Sequence, residues 1–152
     1  MTATMFMRRC LELAEVAALA GDTAVGAVIV RGGEIVAEGV ERTRAALDPS
    51  AHAEVEAIRQ ACQRLETLDL SGCSLYSTVE PCVLCGYAIR RTRIAHVVYG
   101  VPAGQAGACT SSYAILADRE LEGWPQVPAI TGGVLADECL AALRRTKELG
   151  RT

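Results

Sequence analysis

The stretch Leu75-Tyr76-Ser77-Thr78-Val79-Glu80-Pro81-Cys82-Val83-Leu84-Cys85 changes its period halfway. Leu75 to Val79 reads as a strand. Glu80-Pro81 turns it into a helix start, because proline at the first helical position gives up an N–H that has no partner there anyway. Cys82 and Cys85 then fall in the first helical turn, three residues apart and on one face. A strand running straight into a helix is half of a strand–helix–strand unit, and Ile94 to Tyr99 supplies the next strand.

Upstream, Met5 to Ala20 carries Phe6, Cys10, Leu13, Ala14, Ala17 and Ala18 at helical spacing, and Gly21 ends that helix. Val25 to Val30 and Glu34 to Val40 are strands joined by Arg31-Gly32-Gly33, an antiparallel hairpin. Thr43 to Pro49 reads as irregular, and Asp48-Pro49-Ser50 opens a helix over Ala51 to Leu65, with His52 in its first turn and Glu54 close by. Downstream, Gly100 to Thr110 is a loop, Ser112 to Ala117 a short helix, Trp124 to Pro128 a break, Ala129 to Val134 a fifth strand, and Ala136 to Leu149 a closing helix. This order implies an α/β fold, a three-layer α/β/α sandwich around a mixed five-stranded sheet. The 152 residues are expected to make one domain, residues 1–152.

Composition narrows the function classes. With 51% hydrophobic and 22% charged residues the chain supports a core. A net charge of -3 speaks against a broad nucleic-acid surface, so any such contact must be local. No apolar run is long enough to span a bilayer, and Glu12 and Glu15 interrupt the first segment where an export signal would be apolar. A cytoplasmic protein without membrane contact is the expectation. Seven scattered cysteines, an odd number, argue against a disulfide framework, and most read as small core residues.

Two motifs carry chemistry. His52-Ala53-Glu54 alone fits a surface or capping pair, and Pro81-Cys82-Val83-Leu84-Cys85 alone fits a redox pair, half of a structural zinc site, or core residues. Together they place a nitrogen and two sulfurs at two helix starts. Three protein ligands mark a catalytic zinc, since a structural zinc takes four. No second CxxC stands in the chain, and the other histidine, His96, lies in a strand pattern and reads as a surface or interface residue. Glu54 supplies a carboxylate that can carry protons beside such a metal.

H-x-E with P-C-x-x-C is the signature of the zinc deaminases that act on cytosine or adenine. The chain resembles the cytidine deaminase superfamily, in the branch of bacterial guanine deaminases and tRNA adenosine deaminases. The resemblance runs over about residues 5 to 145 and includes Val25-Gly26-Ala27-Val28, Asp48-Pro49-Ser50-Ala51-His52-Ala53-Glu54, Val97-Val98-Tyr99-Gly100 and Gly133-Val134-Leu135-Ala136-Asp137-Glu138-Cys139. It implies one Zn(II) per chain on His52, Cys82 and Cys85, and Glu54 as the catalytic proton shuttle. It also implies substrate contacts from the Ala53 N–H, a carbonyl near Glu80, Val25 and Glu41, and a homodimer. Glu80 itself, before the proline, reads as a structural acceptor.

Two departures shape the expected substrate. Relatives in this branch carry Asn where Glu41 stands, and a carboxylate only accepts, which favours a substrate edge rich in N–H donors. The competing reading has Glu41 in solvent or paired with Arg42 or Arg44. The loop from Gly100 to Ser111 holds Pro102, Ala103 and Gln105 where tRNA-editing relatives carry charge. The expected reaction is therefore release of ammonia from a small, guanine-like nucleobase, nucleoside or related heterocycle. The alternatives are tRNA adenosine deamination, supported by Arg90, Arg91, Arg93, Arg144, Arg145, Lys147 and Arg151, and a non-catalytic zinc-stabilised binding module. Tyr113 and Trp124 are candidates to stack on a base.

Overall fold

The computed structural model describes residues 2–124 and 126–148. Helix α1 (Ala3–Leu19) leads into strands β1 (Gly26–Arg31) and β2 (Glu34–Val40), the short helix α2 (Thr43–Ala46), and helix α3 (Ala53–Leu65). Strand β3 (Cys73–Val79), helix α4 (Val83–Thr92), strand β4 (His96–Val101), strand β5 (Ala129–Thr131) and helix α5 (Ala136–Glu148) follow. The sheet order is β2-β1-β3-β4-β5, with β1 antiparallel to both neighbours and β3, β4 and β5 parallel.

Both faces of the central strands are covered, which is why they read as continuous apolar runs. Ala27, Ile29, Leu75 and Val97 face Ala57, Ile58 and Ala61 of α3 and Ile89 of α4. Val28, Val30, Tyr76 and Val98 face Phe6, Met7, Cys10 and Leu13 of α1 and Cys139 of α5. Cys10, Cys73 and Cys139 are buried core thiols, and all seven cysteines are unpaired. Among the described residues no helix is long and apolar enough to cross a membrane.

Several elements differ from their sequence patterns. Thr43–Ala46, expected irregular, is one helical turn, because the buried Asp22 carboxylate of the α1–β1 loop accepts from the Arg44 and Ala45 amides at 2.8 and 3.1 Å. Residues 112–117 form turns and no helix. There the Ser111 hydroxyl bonds the Gly107 carbonyl and accepts from the Tyr113 amide, and the Arg90 guanidinium takes the Ile115 carbonyl, so local side chains replace the helical ladder. Strand β5 stops at Thr131, and Gly133, with φ at 84°, turns the chain so that its N–H meets the Gly100 carbonyl. His52 and Cys82 are the N-caps of α3 and α4, one step outside the first turn expected for them, and Pro81 precedes the cap. The end of the last predicted helix, Leu149, lies outside the described residues, as does Arg151.

The position of α3 depends on an absent side chain. Gly39 of β2 lies against the Ala53 carbonyl and the Ala57 amide, where a Cβ would overlap backbone. The obstacle is main chain and cannot rotate away, so Gly39→Ala should cost about 2–3 kcal/mol of stability in urea unfolding, the upper part of the range for overpacking. A loss below about 0.5 kcal/mol would show that α3 is not held this closely.

Candidate metal centre and active site

Strand β2 and helix α3 bring His52 to one helix start, and β3 delivers Cys82 and Cys85 to another. His52 Nδ1 lies 3.5 Å from Cys82 Sγ and 3.6 Å from Cys85 Sγ, and the two sulfurs are 3.8 Å apart. A tetrahedral ion with metal–sulfur bonds of about 2.3 Å and a metal–nitrogen bond of about 2.0–2.1 Å needs separations of about 3.8 Å between sulfurs and about 3.6 Å from nitrogen to sulfur. The three ligand atoms therefore already stand where a zinc ion would hold them. Among the described residues they are the one group that converges in this way. His96 takes no part, since its Nε2 shares a 2.8 Å hydrogen bond with the Thr131 hydroxyl.

The protons of the site follow from its geometry. The Cys82 sulfur sits against Cys85 Sγ and the His52 ring at the start of α4, and its pKa is pulled down to about 4. That thiolate and the carboxylates nearby lift His52 to about 9, while the bond to Cys82 and burial push Cys85 well above the usual thiol range.

Glu54 is buried, 4% exposed, in the first turn of α3. Its Oε1 accepts from the Ser77 hydroxyl at 2.6 Å and its Oε2 lies 3.3 Å from Cys85 Sγ. Burial raises its pKa. Ser77 is a partner of Glu54 with no motif to mark it, although a buried serine inside an apolar strand is a visible signal that some polar group must meet it.

Glu41, just after β2, is partly buried. Its Oε1 accepts from the Ala53 amide at 2.9 Å, so two groups expected to meet a substrate meet each other here. Burial, and then the charge of Glu54, push its pKa up to about 7. Val25 holds it from behind, its carbonyl accepting the Glu41 N–H while its side chain joins the core beside Ala53.

The Glu80 carboxylate accepts from the Ala103, Cys109 and Thr110 amides and from the Thr110 hydroxyl at 2.7 to 3.1 Å. Burial pushes its pKa up, but these bonds outweigh it and the group stays below the usual range. The structural acceptor expected at this position is what the structure shows. The basic cluster after Cys85 is smaller than expected, because Arg90 is buried and donates to the carbonyls of Ile115, Asp118 and Trp124. Trp124 packs edge-on against Tyr87, with ring centroids 5.3 Å apart.

A model of the cytidine and deoxycytidylate deaminase zinc-binding region matches residues 1–101, a span that holds His52, Glu54, Cys82 and Cys85. The chain belongs to this family. It is a zinc-dependent deaminase. It is similar to the tRNA-specific adenosine deaminase of Aquifex aeolicus, 37% identical over 142 residues that make up 91% of this chain and 94% of that one. A solved tRNA:A34 deaminase, studied for A-to-I editing at the wobble position of transfer RNA, superposes with a TM-score of 0.86 at 34% identity, covering 92% of this chain and 99% of the other. The guanine deaminase of Bacillus subtilis matches at 42% identity and a TM-score of 0.65, over 67% of this chain and 66% of that one.

The shifts of His52 and Cys85 both favour their protonated forms, whereas zinc needs a neutral imidazole and two thiolates. Zinc titrations in buffers of different ionisation enthalpy should show release of about two protons per ion or more, two from His52 and Cys85 and the remainder from the carboxyls that the ion favours in their ionised form. Release of fewer than about one would contradict this protonation pattern. Cys85→Ser should lose the metal and unfold at lower temperature, read by metal analysis and calorimetry.

Proposed function

We propose that the chain hydrolyses the 6-amino group of an adenosine presented in a tRNA, giving inosine and ammonia. What carries this reading is identity kept over the full length: the tRNA adenosine deaminase is 37% identical over 91% of this chain and 94% of its own, whereas one guanine deaminase covers 95% of this chain and 84% of its own at 25% identity and another reaches 42% over only 67% and 66%. In this reading His52, Cys82 and Cys85 hold the zinc. When bound, zinc acts as a Lewis acid that makes a water nucleophilic near neutral pH. Glu54 takes one proton from the attacking water and delivers it to the ring nitrogen, then carries the second, from the hydroxyl left on the attacked carbon, to the departing amine. The Ser77 hydroxyl keeps its carboxylate aimed for both transfers. The Glu80 carboxylate stands outside the reaction, and its neighbouring backbone is what faces the substrate.

A second reading, deamination of a small guanine-like heterocycle, is favoured by one observation. In its ionised form Glu41 accepts the Ala53 N–H and offers its remaining lone pairs, which suits a 2-amino group beside a ring N–H. Ammonia release from guanine, adenine, cytosine, their nucleosides, pterins and aminotriazines, run beside inosine detection in an anticodon stem-loop, separates the two. Inosine in the stem-loop with no turnover of free bases supports the first reading, and the reverse pattern overturns it. Glu41→Asn should then shift preference away from 2-amino substrates; an unchanged ratio of rates would remove Glu41 from specificity.

Seven unpaired cysteines, two of them used as thiolates, fit a reducing compartment, taken here as the cytoplasm. A homodimer is proposed across α4, where Val83, Leu84 and Tyr87 are 38%, 41% and 53% exposed. Sedimentation should give twice the chain mass and Tyr87→Glu the single mass; a monomeric wild type would reject this. Glu54→Ala should retain zinc and fold while turnover falls by about 10²–10⁴, the range for loss of a general acid–base. Turnover within about tenfold of wild type would overturn the role given to Glu54.

A further inference from the structure

The segment from Pro102 to Ser111 has almost no regular structure, with a single 3₁₀ turn over Gly104–Ala106, yet it lies against the residue that carries the first thiolate. Gly107 forms an isolated antiparallel bridge with Cys82, and the Ala108 amide donates to the Pro81 carbonyl at 2.8 Å. Cys82 is the N-cap of α4, so one side of its backbone is fixed by the helix, through the Gly86 amide on its carbonyl. The other side rests on this loop. Within the loop itself the Gly107 amide donates to the Gly104 carbonyl and the Ser111 amide and hydroxyl to the Gly107 carbonyl, bonds that tie the loop to itself and not to β4.

What holds it is Glu80. The carboxylate is 2% exposed and sits inside the loop. Oε1 accepts from the Ala103 amide at 3.1 Å and the Thr110 hydroxyl at 2.7 Å, and Oε2 accepts from the Cys109 and Thr110 amides, both at 2.8 Å. Gly107 passes so close to the carboxylate that a Cβ would have no room. The Glu80 backbone is itself tied to β4, its N–H donating to the Val101 carbonyl at 2.7 Å. A closed ring results: β4 fixes Glu80, the carboxylate fixes the loop at both ends, and the loop fixes Pro81 and Cys82, the two residues that follow Glu80.

We propose that Glu80 is a positioning residue for the metal centre, acting through the loop over residues 103–110 to set the place of the Cys82 thiolate. The requirement is for a carboxylate, because three of its four partners are amide N–H groups that only donate. Glutamine would put an NH₂ against donors whichever way it turned. With the NH₂ at the Oε1 position it would lose the Ala103 bond while the Thr110 hydroxyl reverses, and at the Oε2 position it would lose two amide bonds. Aspartate keeps the charge but is one methylene short of the four donors.

The test is metal binding and the spectrum of the cobalt-substituted protein, neither of which depends on turnover. Glu80→Gln, checked for fold by circular dichroism, should bind zinc at least about tenfold more weakly, the scale of a lost outer contact at a metal site. Its cobalt(II) form should show weakened sulfur-to-cobalt charge transfer and shifted d–d bands. Glu80→Asp should fall between it and wild type. Thr110→Val removes one donor and leaves the main chain intact, so it should move both readouts in the same direction by about two- to fivefold and decides the matter if Glu80→Gln does not fold. A folded Glu80→Gln with wild-type zinc affinity and an unchanged cobalt spectrum would overturn the proposal, as would an unchanged Thr110→Val if it alone can be measured.

Discussion

Two helix starts meeting within 4 Å of each other are the constraint on which the rest of this structure depends. His52 caps α3 and Cys82 caps α4, and their ligand atoms are 3.5 Å apart. That meeting demands that α3 lie almost on the sheet, which explains why Gly39 has no side chain and why Ala53, Ala57 and Ala61 line the buried face of the helix. It also demands that α4 begin directly at the end of β3, which the Glu80-Pro81 turn achieves. The exposed N–H groups of a helix start favour negative charge, so both helices present their ends where thiolate character is needed.

The same place is electrostatically crowded. The Cys82 thiolate, Glu54 and Glu41 share a small volume with the His52 ring, and burial pushes both carboxyls above their ordinary range. A divalent cation relieves that crowding, since it favours the ionised form of every one of these groups. Metal binding, protonation and stability are therefore one linked equilibrium in this chain, with Ser77 and the Ala53 amide supplying the hydrogen bonds that keep the two carboxylates apart.

Much of this was legible in the residues. The hairpin, a helix over Ala51 to Leu65 that in fact starts at Ala53, a helix start at Glu80-Pro81 and the five-strand sheet are visible as patterns, and the ligand trio follows from two short motifs. What was hidden depends on contacts distant in sequence. The helical period of residues 112–117 is real, but Arg90 takes the Ile115 carbonyl and no helix forms. Thr43–Ala46 carries no cap of its own and becomes helical because Asp22, some twenty residues earlier, caps it. Arg90 reads as part of a surface cluster and instead clamps three carbonyls. Glu80 could be recognised as an acceptor, but its partners, in a loop without a pattern, could not.

We propose a zinc ion held by His52, Cys82 and Cys85 and left open on its fourth side. X-ray absorption at the zinc edge of the loaded protein tests that directly. Two sulfurs at about 2.3 Å, one imidazole nitrogen and one light non-protein atom at about 2.0–2.1 Å are the expected shell. A shell of three sulfurs, or of two imidazoles, would mean that a fourth side chain closes the site and that the centre is structural, contradicting the account.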